Sequence, residues 1–203
     1  ECTRADLRAQ GNVYSGRCRA QGVSARDLQY GDAHGGRAEA ALRVRVGDER
    51  FAIVDRVQGH FEQALKEDVG DFVVRRKDGL FAYQLAVVID DAYQGVTDIV
   101  RGIDLLDSTP RQRCLQDYLG LPEPRYAHLP VVVDAAGDKL SKQSFAQAID
   151  PAQASMLLTR CLDFLGQEPS PTLADANPQE ILSWAVSHWD MQRVPKLATL
   201  PNA

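Results

Sequence analysis

Val131-Val132-Val133-Asp134-Ala135-Ala136-Gly137-Asp138-Lys139-Leu140-Ser141-Lys142-Gln143 is the stretch on which the fold turns. An apolar strand passes through a glycine turn into a loop with two lysines and a serine. A buried strand that opens into such a loop is a common way to hold a polyphosphate. Its ammonium groups meet charge growing on phosphoryl oxygens, and the loop closes over the nucleotide. The segment 139–143 also reads as an ordinary solvated turn, so its neighbours have to decide.

Upstream, Thr109-Pro110-Arg111-Gln112 has the composition of a helix start. Threonine is the cap, proline takes the first helical position and glutamine follows three residues after the cap. Leu115, Tyr118 and Leu119 give that helix an apolar face, and Gly120 stops it. Before it, Leu80-Phe81-Ala82-Tyr83-Gln84-Leu85-Ala86-Val87-Val88-Ile89 is almost wholly apolar, which predicts a strand buried on both faces, closed by Asp90-Asp91. Phe72-Val73-Val74-Arg75 predicts another strand. Ala41–Val46 and Phe51–Val54 predict a pair joined by a turn at Gly47-Asp48. Strand, helix, strand and lysine loop together predict half of a doubly wound α/β sheet.

Downstream the pattern turns helical. Asp150-Pro151 starts a helix with Met156, Leu157, Leu158, Cys161, Leu162 and Leu165 at helical spacing, ended by Gly166. Asn177-Pro178 starts a second, with Ile181, Leu182, Ala185 and Trp189 on one face. Both stripes are read as core packing.

The bulk numbers set limits. The chain has 203 residues, 44% hydrophobic and 25% charged, with formal charge −5: enough for one sizeable domain with an appended module, and too acidic for wholesale wrapping of nucleic acid. No apolar run reaches the roughly 18 residues of a membrane span. Cys114 and Cys161 fall within apolar helical patterns and are expected to be small core residues. Cys2 and Cys18 lie in a polar, glycine-containing stretch, 1–37, where with Tyr14 they are the residues of obvious ligand chemistry. Zinc usually takes four ligands and rarely a phenolate, so spacing alone leaves that site open. The chain begins at Glu1-Cys2 without methionine or a basic-apolar leader, and sequence is expected to be missing on its N-terminal side.

Taken in order, Tyr83-Gln84-Leu85-Ala86, Asp90-Asp91, Gly95-Val96-Thr97-Asp98, Val100-Arg101-Gly102, Ser108–Gln112, His128-Leu129-Pro130 and Lys139-Leu140-Ser141-Lys142 resemble the catalytic domain of the class I glutamyl-tRNA synthetase family, over nearly the whole chain. Within it the chain looks most like the short paralogue that lacks an anticodon-binding domain. Asp104-Leu105-Leu106-Asp107-Ser108-Thr109-Pro110, the loop ending in Gln143 and the short tail favour that branch.

The resemblance implies the second half of a Rossmann-like catalytic domain over 38–143, a partial zinc-binding insertion over 1–37 and a helical region contacting the tRNA stem over 144–203. It implies a monomeric cytoplasmic ligase. ATP, with Mg2+, and L-glutamate would form glutamyl-adenylate, and the glutamyl group would pass to the queuosine base at the wobble position of tRNA(Asp). Lys142, supported by Lys139, would meet the phosphate charge, with Ser141 also on ATP. Tyr83 and Arg101 would bind glutamate as partners across the sheet. Asp90 and Asp91 would orient Arg101 or cap a turn, and His128 would contact ATP or pack. Zn2+ would take Cys2, Tyr14 and Cys18, with a further cysteine expected just before Glu1.

The chain departs from the family in lacking its His-x-Gly-His-like motif and the glutamate-binding arginine and glutamate of the first Rossmann half. The 203 residues alone are therefore expected to show no glutamate-dependent exchange of pyrophosphate into ATP. The alternatives are a truncated glutamyl-tRNA synthetase charging tRNA(Glu), and a non-catalytic tRNA-binding paralogue.

Overall fold

Alternation along Arg50–Asp55 buries Phe51, Ile53 and Asp55 on one face and leaves their neighbours exposed, so a carboxylate stands in line with two core side chains. That strand threads through both compact parts of the molecule. The computed structural model describes residues 13, 14, 16, 41–141 and 148–201. It divides into a first unit of residues 1–53, 60–97 and 107–124 and a second of 54–59, 98–106 and 125–203.

In the first unit, β1 (Leu42–Val44) is followed by β2 (Arg50–Asp55), β3 (Gly59–Ala64), a single helical turn α1 (Leu65–Asp68), β4 (Phe72–Arg75), and helices α2 (Tyr83–Gln94) and α3 (Thr109–Leu119). The hairpin expected across Gly47-Asp48 does not form. β1 pairs antiparallel with β4, Val44 opposite Phe72, while β2 pairs with β3. The choice follows burial: Val46, Phe51, Leu65, Phe72, Val74, Val88, Cys114 and Leu115 close one core, with Leu42 and Val44 packed against it.

The strand expected over Leu80–Ile89 is also corrected. Only Phe81 keeps a strand-like bridge, to Arg75, and from Tyr83 the chain is helical as far as Gln94. Val88 is buried and Leu85 and Val87 pack on the same core, whereas Ile89 and Tyr93 face outward. One helical stripe is therefore covered rather than two strand faces. Gly95, at φ 69°, ends the helix in a left-handed turn that returns its amide and that of Val96 to the last carbonyls. Helix α3 begins where expected, but its cap is Ser108, one residue before Thr109, and Gly120 ends it at φ 64°. Its covered face is carried by Cys114 and Leu115, while Tyr118 and Leu119 are about half exposed.

The second unit contains β5 (Asp98–Gly102) parallel to β6 (Arg125–Leu129), then β7 (Val131–Val133) parallel to β8 (Thr199–Pro201). Between β7 and β8 run helices α4 (Ala154–Phe164) and α5 (Pro178–His188), which pack on each other. Both begin as the sequence indicates. Asp150 caps the 3-10 turn leading into α4, and Asn177 forms a reciprocal capping box with Glu180. Val57, Ala127 and Val194 form the core, joined by Leu129, Leu165 and Met191. Cys161 is exposed, unlike the expectation, because the covered stripe of α4 runs through Thr159 and Leu162. The parallel strands with intervening helices bear out an α/β fold, although the described strands pair two by two. Among the described residues no helix is long and apolar enough to cross a membrane.

Candidate active site

Parallel register sets Arg101 of β5 directly beside His128 of β6. Neighbours on parallel strands share a face, and here the two side chains bond: Arg101 Nε donates to His128 Nε2 at 2.9 Å. His128 is fully buried, and on its other side Nδ1 lies 2.6 Å from Asp55 Oδ2. An imidazole that accepts at Nε2 must carry its proton on Nδ1, so these partners define a neutral Nδ1–H tautomer donating to Asp55.

Asp55, only 2% exposed, is the carboxylate that strand alternation drives inward. A buried charge persists only when fully partnered. Asp55 Oδ1 accepts the amides of Val57 at 3.0 Å, Gln58 at 2.9 Å and His128 at 3.1 Å. Burial pushes its pKa up, but the hydrogen bonds from the His128 ring and the Gln58, His128 and Val57 amides together outweigh burial and hold it below the usual carboxylate value. The 55–59 turn is stitched along β6 by Arg56 N–H to the Tyr126 carbonyl (2.9 Å) and Gln58 Nε2 to the His128 carbonyl (2.8 Å). Arg101 in turn lies over the Tyr126 ring, 5.4 Å from its centroid, and its Nη2 points at the Leu105 carbonyl, 3.5 Å away. The arginine is therefore held by His128, Tyr126 and Leu105.

The lysine stretch folds back on β7. Asp134 and Asp138 close a turn around Gly137, at φ 87°, and Leu140 N–H donates to the Val132 carbonyl at 3.0 Å. Lys139 thereby stands opposite Val133 and reaches Asp104 Oδ2 at 2.6 Å. Both partners are nearly half exposed, so the pair contributes only about 0–1 kcal/mol and exchanges readily for another anion. Asp104 sits three residues beyond Arg101, in the 3-10 segment Ile103–Ser108. Arg101 and Lys139 thus belong to the same unit.

Tyr83 lies in the first unit, as the first residue of α2 rather than on a strand, with half its surface exposed. The start of α2 is tied to α3 by a polar chain: Gln112 Nε2 donates to Gln84 Oε1 (2.9 Å), and Gln84 Nε2 and Arg111 Nη2 both donate to Ser108 Oγ (3.0 and 3.2 Å). Burial lowers the pKa of Arg111, against the attraction of Asp107. Tyr14 is buried, bridged to Gly70 and covered by the Arg43 guanidinium at 4.1 Å from its ring centroid. Cys2, Cys18, Lys142 and Gln143 lie outside the described residues. No His, Cys, Asp and Glu group of metal-binding size occurs among the described ones.

Sequence reasoning passed over Asp55. Its signal was present in Phe51-x-Ile53-x-Asp55, an acid at the third inward position of a strand. His128, expected to contact ATP or to pack, is fully buried within this network.

The guanidinium held on a parallel strand and the loop lysine paired with the segment that follows that strand both belong to an α/β fold. The chain belongs to the class I tRNA synthetases of glutamate and glutamine, matching the family "tRNA synthetases class I (E and Q), catalytic domain" over residues 3–157. It is 50% identical over 201 residues to the glutamyl-Q tRNA(Asp) synthetase of Pseudomonas aeruginosa PAO1, covering 99% of this chain and 64% of that protein. It is 53% identical over 194 residues to the enzyme of the same name from Methylococcus capsulatus, covering 96% and 61%. The chain therefore spans under two thirds of these curated relatives. The crystal structure of glutamate-tRNA synthetase from Elizabethkingia anophelis has the same fold, with a TM-score of 0.63 at 21% identity, over 97% of this chain and 45% of that one.

Proposed function

We propose that the protein containing this chain activates L-glutamate with ATP and transfers it to the queuosine base of tRNA(Asp). The observation that carries this reading is half-identity along 99% of the chain to a relative named for that reaction. In the first step a carboxylate oxygen of glutamate forms a bond to the α-phosphorus. The bond from that phosphorus to the bridging oxygen breaks, and pyrophosphate leaves. Arg101 holds a carboxylate of glutamate, which suits a planar guanidinium fixed at a strand end, and Tyr83 adds a hydroxyl donor. Lys139 leaves Asp104 for the phosphates. Lys142 and Ser141 complete the loop, with Mg2+ as counter-ion on the nucleotide.

Residues 38–143 are proposed as part of the catalytic domain, 144–203 as the tRNA stem contact and 1–37 as a zinc insertion. Two thiolates and a phenolate, Cys2, Cys18 and Tyr14, suit a tetrahedral structural Zn2+ that takes its remaining ligand elsewhere. Glutamate-dependent exchange of pyrophosphate into ATP by the full-length protein tests the first step. Exchange that ignores glutamate, or requires another amino acid, rejects it. Metal analysis tests the second proposal: about one zinc per chain, falling on Cys18→Ser, is expected, and no zinc in the wild type rejects it.

A further inference from the structure

We infer that Asp55 and His128 are positioning residues that fix which edge of the Arg101 guanidinium meets the substrate carboxylate. The inference rests on the proposed role of Arg101 in holding glutamate.

A guanidinium offers a carboxylate two bidentate edges, one through Nε and one through the terminal Nη pair. Here Nε is committed to His128 Nε2 at 2.9 Å, and Nη2 spends one of its two hydrogens on the Leu105 carbonyl at 3.5 Å, so a carboxylate is met at the terminal Nη1/Nη2 end. That commitment depends on the imidazole offering a lone pair at Nε2. The proton is therefore kept on Nδ1, where Asp55 Oδ2 accepts it at 2.6 Å. Asp55 is itself immobilised by the backbone amides of Val57, Gln58 and His128 on its other oxygen. The chain from backbone to carboxylate to imidazole to guanidinium is buried at its first two side chains and partly exposed only at the arginine. Such an arrangement preorganises a ligand that would otherwise lose rotamer freedom on binding substrate. The free turn of a long arginine is replaced by a fixed fork, which favours affinity for glutamate rather than for ATP.

The experiment uses the full-length protein and glutamate-dependent pyrophosphate exchange, with folding followed by circular dichroism. His128→Leu and Asp55→Asn should each raise the KM for glutamate by about tenfold or more, with the KM for ATP unchanged within about twofold. His128→Gln, whose Oε1 reaches the Nε2 position and restores an acceptor for Arg101, should recover most of that loss. A purely structural role predicts no such rescue and a parallel change in both KM values; that pattern overturns the inference. Arg101→Ala separates the layers. If it leaves the glutamate KM unchanged, the role of Arg101 is wrong and the inference falls with it. If Arg101→Ala raises that KM while the His128 and Asp55 variants do not, the positioning inference alone is overturned. Nitrogen-15 NMR of the wild type, with the His128 ring assigned by its through-space contacts to the stacked Tyr126 ring, covers the case in which variants do not fold: the Nδ1–H tautomer is expected and the Nε2–H tautomer contradicts it.

Discussion

Asp55 shows how one residue decides the chemistry of several others. Alternation carries it into the interior, where it survives as an ion only by accepting the His128 ring and three amides. With its folded pKa held below the usual carboxylate value, the stability it contributes is present above the unfolded carboxylate pKa and is lost as pH falls through the lower folded value. Urea midpoints should therefore drop on acidification from about pH 5 toward 3 in the wild type, and Asp55→Asn should flatten part of that fall. The same variant should cost about 3 kcal/mol near neutral pH, since it breaks a buried ionic network; a loss under about 0.5 kcal/mol would show the network to be dispensable. Cysteines provide a second check. Burial pushes the Cys114 thiol up to about 11, and Cys161 is exposed. Alkylation of the native protein near pH 8, mapped by peptide mass spectrometry, should label Cys161 rapidly and Cys114 only after unfolding. Equal labelling would contradict the core placement.

At the scale of elements, legibility tracked how local each signal is. Asn177-Pro178 with Glu180, Asp150-Pro151 and the glycines at 95, 120 and 166 act through neighbouring backbone, and the structure places helix ends at them. Asn177→Ala should accordingly lower stability by about 1 kcal/mol in chemical denaturation, and no change would show the capping box to be idle. The Leu80–Ile89 run misled because a short apolar run has no period of its own; only its continuation through Tyr93 to Gly95 reveals a helix. The partner of β1 was not legible at all, since Gly47-Asp48 favours a local hairpin and the choice of β4 is made by a distant core. The strand β3 hid for another reason: Gly59-His60-Phe61-Glu62-Gln63-Ala64 is poor in β-formers and is held by pairing with β2. Parallel pairing of β7 with β8 is likewise non-local, and it ties the tail to the strand that feeds the lysine loop. Truncation after Pro195 should accelerate amide exchange at Val131–Val133 well beyond that at β5, as measured by mass spectrometry; unchanged protection would remove the tail from that role.

At the scale of the molecule, two cores serve two different tasks. The first unit fixes the start of α2, and with it Tyr83, through the Gln112–Gln84–Ser108 chain. The second fixes Arg101 and seats Lys139 on Asp104. Ordered motifs single out Arg101, Tyr83 and Lys139 in the sequence, whereas the contact of His128 with Arg101 was not legible there, because it depends on the register between β5 and β6. The most direct measurement is transfer of labelled glutamate by the full-length protein to tRNA(Asp) with queuosine, to tRNA(Asp) without it, and to tRNA(Glu). Stable labelling of the queuosine-containing tRNA(Asp) alone is predicted, and labelling of tRNA(Glu) independent of queuosine would contradict the account.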